Sequence, residues 1–308
     1  MENDSSVSGI QRRELSNKVY YYSRAHLLDE VCGPPDTSMA SYSTTEGSAA
    51  KISLVMKILG MIANVDVQLN FCGYGGKLSE FCYEKDRMRY IQQMSSNYLE
   101  LNHGNKYPSC ELIYDIESLE CSKVYHEQNK LYHRLNQLFW FGIGDIQSIE
   151  KDIESRENKY RSFFRIAHRD TVDDCSYSRL YFQIDAAVCE FYALRLYHFR
   201  CQGETLPDDK IRSWVTLYLQ IAYRLQQIKV RYHWFDKSLF LVGAETHDAI
   251  YRDWIQRRMI RSDLKKALMC VWEKEKMQGK RLSREEYRAI LRSASETYDA
   301  IPAIVDYV

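Results

Sequence analysis

Apolar residues recur every three or four positions along most of this chain, the period of helices with one buried face. The clearest run is Ile52, Val55, Ile58, Leu59, Ile62, Val65 and Leu69, which predicts a helix from Ala49 onward. Phe71-Cys-Gly-Tyr-Gly-Gly-Lys77 stops it as a C-terminal cap and turn. A second helix is expected over 78–101, closed by Asn102-His103-Gly104-Asn105, and a third over 111–141. Gly142 and Gly144 then break the pattern and Asp145 offers an N-cap. The helix it opens is polar through Asn158 and turns aromatic at Tyr160, Phe163 and Phe164.

Over 179–199, Leu180, Ile184, Ala187, Val188, Phe191 and Leu194 make the best amphipathic pattern in the chain, with Asp185, Glu190, Arg195 and His198 riding along. The stretch 202–209 reads as a boundary, with Thr205, Pro207 and Asp208 forming a helix-start signature. The following run, 211–234, is apolar nearly all round and is expected at the centre of a bundle. Beyond Gly243, the ranges 245–259, 263–277 and 283–298 read as three amphipathic helices. Gly279 is a stop signal and Ser283-x-x-Glu286 a capping box. Nearer the N-terminus, 18–31 suits a short helix ended by Gly33-Pro34-Pro35, and 1–17 a flexible leader.

No convincing alternation of period two and no fixed repeat appears, so the expected fold is all-α, a compact array of about eight or nine helices with little or no β-sheet. Charge divides it further. Lys plus Arg balances Asp plus Glu at 42 each, yet residues 210–300 hold nineteen basic against eleven acidic side chains. The expected organisation is therefore a leader (1–17), an acidic helical region (18–202) and a basic helical region (203–308), the last two able to form one continuous domain. An anionic partner belongs with the basic region.

Nine cysteines without a Cys-x-x-Cys pair, several inside apolar stripes, point to reducing, cytoplasmic surroundings. No secretory h-region is present. The most hydrophobic segment, 52–69, is interrupted by Lys57, Asn64 and Asp66 and reads as too polar and too short for a bilayer span, so a soluble protein is expected. Tyrosine, at 24 residues, is the compositional oddity, and its ordinary use is a ring in the core with a hydroxyl that finds a partner.

Several constellations bear on chemistry. His126 and His133, two turns apart with Glu127 beside them, invite a metal reading, but no Glu-x-x-His pair accompanies them and surface histidines are expected. Asp170, Asp173 and Asp174 are expected to cap the following helix or to pair with Arg169 or Arg179. Arg161 and His168, on one helix, resemble the active motif of HEPN-type ribonucleases, helical proteins that cut RNA without metal. That resemblance spans eight residues, with Ser162 after the arginine and the longest spacing. It implies a catalytic histidine at His168 acting on the 2′-hydroxyl or leaving oxygen, and Arg161 on phosphate charge. The last constellation is a basic tract from Arg252 to Arg292. Within it Arg252, Trp254, Arg257, Arg258, Arg261, Lys265 and Lys266 combine cations for a phosphate backbone with aromatic planes for unpaired bases. Tyr251, Trp272, Tyr287, Arg284, Arg288 and Arg292 continue the tract.

No hydrolase, zincin or redox signature and no cofactor motif occurs. The leading expectation is a non-enzymatic helical binding protein that contacts single-stranded RNA, another polyanion or an acidic protein surface, and no membrane. A metal-independent endoribonuclease using Arg161 and His168, and a self-assembling scaffold, are the alternatives; a homo-oligomer fits the last.

Overall fold

The computed structural model describes residues 46–73, 77–84, 87–96, 98–169, 179–202, 208–227 and 235–296. The expected leader, the helix over 18–31, Asp170, Asp173 and Asp174 lie outside the described residues. Among the described residues every regular element is helical, as expected, but the helices are more numerous than eight or nine. The chain divides into two units, Ile10–Leu119 and Glu120–Val308.

In the first unit, helix α1 (Glu46–Phe71) carries the predicted stripe, burying Met56, Leu59, Ala63 and Val67. It has the length and composition of a membrane span over Lys51–Phe71, with mean hydropathy 1.5, so the segment is longer than the sequence pattern indicated. Its Asp66 is fully buried and accepts from the Ser79 amide at 2.9 Å, while Asn70 donates to the Ser79 hydroxyl. The helix expected over 78–101 is instead three: α2 (Lys77–Glu84), α3 (Arg87–Ser95) and α4 (Tyr98–His103). The reason lies in angles. At about 100° per residue, Leu78, Cys82, Tyr83, Met88 and Ile91 would scatter around a straight helix. Folded into short pieces, all of them are buried, α2, α3 and α4 each packing on α1. Arg87 secures one corner by donating to the Phe81 carbonyl at 2.9 Å.

Helix α5 (Ser109–Phe141) runs from the first unit into the second. In the second unit follow α6 (Ile146–Lys159), α7 (Arg161–Ala167), α8 (Arg179–Gln202), α9 (Asp208–Gln227), α10 (Asp236–Glu245), α11 (Ala249–Arg258), α12 (Ser262–Gln278) and α13 (Arg284–Glu296). Local end signals hold. Asp145 caps α6 by accepting from the Gln147 and Ser148 amides at 3.1 Å. Gly279 ends α12 in the left-handed region at φ +64°. Ser283 and Glu286 exchange the hydrogen bonds of a capping box at the start of α13. Helix α11 begins later than the pattern indicates because Asp248 caps it, leaving Thr246 extended.

The central element is α8, not the run over 211–234. Every residue from Ile184 to Leu194 is buried, whereas α9 leaves Arg212, Ser213, Gln220 and Tyr223 exposed along one side. The two expectations are thus exchanged. Helix α8 is enclosed by α7, α6, α9 and α10, and its Ala186, Ala187, Cys189 and Ala193 are small enough for close approach. On another side α5 lies against it through a ladder of polar contacts. Tyr125 and Tyr132 hydroxyls and the Gln128 amide donate to the Gln183, Glu190 and Ala187 carbonyls, and Tyr197 donates back to Asn136. Tyrosine in this core supplies both apolar area and a hydrogen bond.

Candidate polyanion-binding face

Around α8 the ionisable side chains are paired inward. Asp185, with no exposure, accepts from Arg169 at 3.0 and 3.1 Å and from Arg224 at 3.2 and 3.4 Å. The same two arginines donate to the Ile166 and Ala167 carbonyls, so they also close the C-terminal end of α7. Glu190 meets Lys237 at 3.3 Å and the Ser238 hydroxyl. Lys237 stands over the Tyr132 ring, and burial, opposed by Glu190, lowers its pKa from the ordinary lysine value. Arg200 is held by Glu245 and Glu275, and Arg281 joins Glu245 from the connection between α12 and α13. A buried charge is tolerable when paired and hydrogen-bonded in this way. These groups fasten helices together.

Arg161 and His168 stand at opposite ends of α7. Arg161 is exposed and donates to Asn158 at 3.2 Å. His168 Nε2 lies 2.8 Å from the Tyr192 hydroxyl, its ring stacked on Tyr192 and tilted against Phe164. Burial and the Arg224 charge lower its pKa, with Asp185 opposing, which favours a neutral imidazole. Seven helical positions separate the two side chains by about 10.5 Å of rise. They share a face but no hydrogen bond. His126 and His133 are buried rather than at the surface, and Glu127 beside them is taken up by Arg156 and Lys159. Among the described residues no three His, Cys, Asp or Glu side chains are grouped to hold a metal ion.

The basic tract resolves into paired and outward-facing members. Arg252 donates to the Thr246 carbonyl at 2.8 Å and lies over Trp272, whose indole N–H is bonded to the Gly243 carbonyl. Arg257 pairs with Asp253 one turn away, and Arg261 with Asp263 at 2.5 Å. Trp254 donates to Gln226 and carries Arg258 over its ring, 5.9 Å from the centroid. Arg258 and Lys266 are exposed and Lys265 is half-buried; among the described residues no carboxylate pairs with these three. Tyr287 belongs to the core, at 1% exposure, so it is no stacking platform.

The remainder of the tract gathers on one helix over two aromatic rings. Arg284, Arg288 and Arg292 fall at four-residue steps on α13, on one side of the helix. Arg288 lies 5.2 Å from the Phe139 ring centroid and Arg292 4.9 Å from that of Trp140, both rings from the last turn of α5. Burial lowers the Arg288 pKa, as do its neighbours Arg284 and Arg292, with Glu285 opposing. Its Nε is buried and makes no hydrogen bond among the described residues. Glu285 stands 3.8 Å from Arg284 and is largely exposed. Immediately after Trp140, Phe141 and Ile143 are 59% and 61% exposed. The four-residue recurrence was legible; that α5 would supply the rings beneath it was not.

Comparison with protein families, with curated proteins and with solved structures gives no match for this chain.

Proposed function

We propose that this chain is a cytoplasmic binding protein for a polyanion, RNA in the first place, and that it works through the basic side chains of α11, α12 and α13. The observation that carries the reading is the sorting of charge in the second unit. The buried cations are matched by buried carboxylates, while Arg258, Lys266 and Arg292 are exposed and Lys265, Arg284 and Arg288 half-buried. Outward cations that track a phosphate chain release counterions on binding, which makes such an interface salt-dependent.

The test is fluorescence anisotropy of end-labelled single-stranded RNA in excess EDTA, read across a salt series. Binding that weakens with salt, and that falls when Arg258, Lys265 and Lys266 are changed together to Glu, supports the reading. Affinity flat across salt overturns it. The same samples run on a denaturing gel address the ribonuclease alternative, which requires shortened RNA that His168→Ala abolishes.

A further inference from the structure

We infer that the strand-binding element is α13, with a single-stranded nucleic acid lying along it, successive phosphates on Arg284, Arg288 and Arg292, and a base against Phe141. The inference rests on the polyanion-binding reading and narrows it to one surface and one ligand class.

The first argument is spacing. Residues four apart on a helix are separated by about 6 Å of rise, comparable to the step between phosphates on an extended strand. Three arginines at that interval make a linear array, whereas an anionic membrane would be met by a broad one. The second is repulsion. Like charges one turn apart disfavour each other, and the two outer guanidinium groups both act against the charge on Arg288. A bound phosphate between them removes that cost. The third is preorganisation, since Phe139 and Trp140 hold Arg288 and Arg292 from beneath. Side chains already ordered lose less freedom on binding. Finally, exposed Ala289 and Ser293 leave the neighbouring helix surface low, and Phe141 is an exposed aromatic ring one residue beyond Trp140. A ring in that place stacks on a base irrespective of sequence.

The experiment uses the full chain with three probes: a fluorescein-labelled uridine 12-mer, inorganic polyphosphate as competitor, and phosphatidylserine vesicles. Arg284→Glu with Arg288→Gln is expected to weaken oligonucleotide binding at least about tenfold and to flatten the salt slope by about 1.4, two phosphate contacts' worth. Arg288→Lys, which keeps the charge, is expected to retain that slope, and tryptophan fluorescence verifies that each variant is folded. Phe141→Ala is expected to weaken the oligonucleotide about tenfold yet leave polyphosphate, which has no bases, unchanged. Wild-type affinity in the folded Arg284/Arg288 variant, with loss only when Arg258, Lys265 and Lys266 are reversed, overturns the α13 assignment and leaves the polyanion reading standing. Equal loss of both probes in Phe141→Ala, or tighter binding to vesicles than to the oligonucleotide, also overturns the inference. A wild-type protein that binds no probe overturns the polyanion reading itself.

Discussion

Replacing Asp185 by Asn leaves the shape of the side chain nearly intact and removes only its charge, which isolates the electrostatic part of the cluster at the α7–α8–α9 junction. In the wild type one carboxylate with no exposure faces two guanidinium groups, Arg169 and Arg224, through four contacts between 3.0 and 3.4 Å. Breaking a buried ion pair by removing one partner costs about 3–5 kcal/mol. Here the arginines retain roughly a fifth of their exposure and their bonds to the Ile166 and Ala167 carbonyls, so the stranded charges are partly solvated. The lower end, about 3 kcal/mol, is therefore expected. The assay is urea unfolding followed by tryptophan fluorescence. All five tryptophans, at positions 140, 214, 234, 254 and 272, belong to the Glu120–Val308 unit, so the signal reports that unit alone. Adding Arg169→Met to Asp185→Asn should recover part of the loss, because the cost lies in the unpaired cation and the two sites are coupled. A single-variant loss below about 1 kcal/mol, or strictly additive losses in the double variant, would refute the claim that the Asp185 charge compensates the two guanidinium groups facing it.

Gly243→Ala places a Cβ 2.7 Å from Leu268 Cδ2 and 3.3 Å from Ile255 in the α10–α12 contact; a loss of about 1–3 kcal/mol in urea unfolding is expected from overpacking, with partial relief when Leu268→Ala is added. Ser283→Ala removes one half of the α13 capping box and should cost about 1 kcal/mol, read the same way. Glu286 has its pKa lowered to about 2, first by Gln278 and then by Ser283. A carboxylate with a depressed folded pKa contributes stability above its unfolded value of about 4.3 and loses it as pH falls toward 2, so amide exchange in the first turn of α13 should quicken over that window and Glu286→Gln should abolish the pH dependence. His168 and His198 have pKa values lowered chiefly by burial. The unfolded chain then binds more protons, and stability by tryptophan fluorescence should rise with pH up to about 6.5 and level off above it; a flat profile between pH 5 and 7 would contradict the lowering of both pKa values.

How far the fold could be read from sequence depended on how far away each decisive partner lay. Asp145, Gly279 and the Ser283–Glu286 box find their partners within one helical turn, and all three appear where the pattern places them. The breaks inside 78–101 depended on α1 as a packing template, information absent from the segment itself. The exchange between α8 and α9 has the same origin. Asp185, Glu190 and Arg200 looked like the polar face of an amphipathic helix because their partners, Arg224, Lys237 and Glu275, stand 39, 47 and 75 residues later. His126 and His133 were misplaced for a related reason, since a histidine on an apolar helix looks the same in sequence whether it faces water or core. At the candidate binding face, the arginine recurrence on α13 was visible, while the Phe139 and Trp140 rings under it come from about 150 residues earlier.

The charges on α8 have a further consequence for how the second unit assembles. Asp185, Glu190, Arg195 and Arg200 follow one another at five-residue intervals. Each interval advances about 140° around the helix axis, so the four side chains fan out toward different neighbours. Asp185 turns to the end of α7 and to α9, Glu190 to α10, Arg195 to Glu157 on α6, and Arg200 to α10 and α12. A helix buried by methyl groups alone could slide by a turn and still find oil on every side. With four keyed charges, the same slip would strand all of them at once. The apolar surroundings thus decide that α8 is inside, and the ionic partners decide at which height it sits.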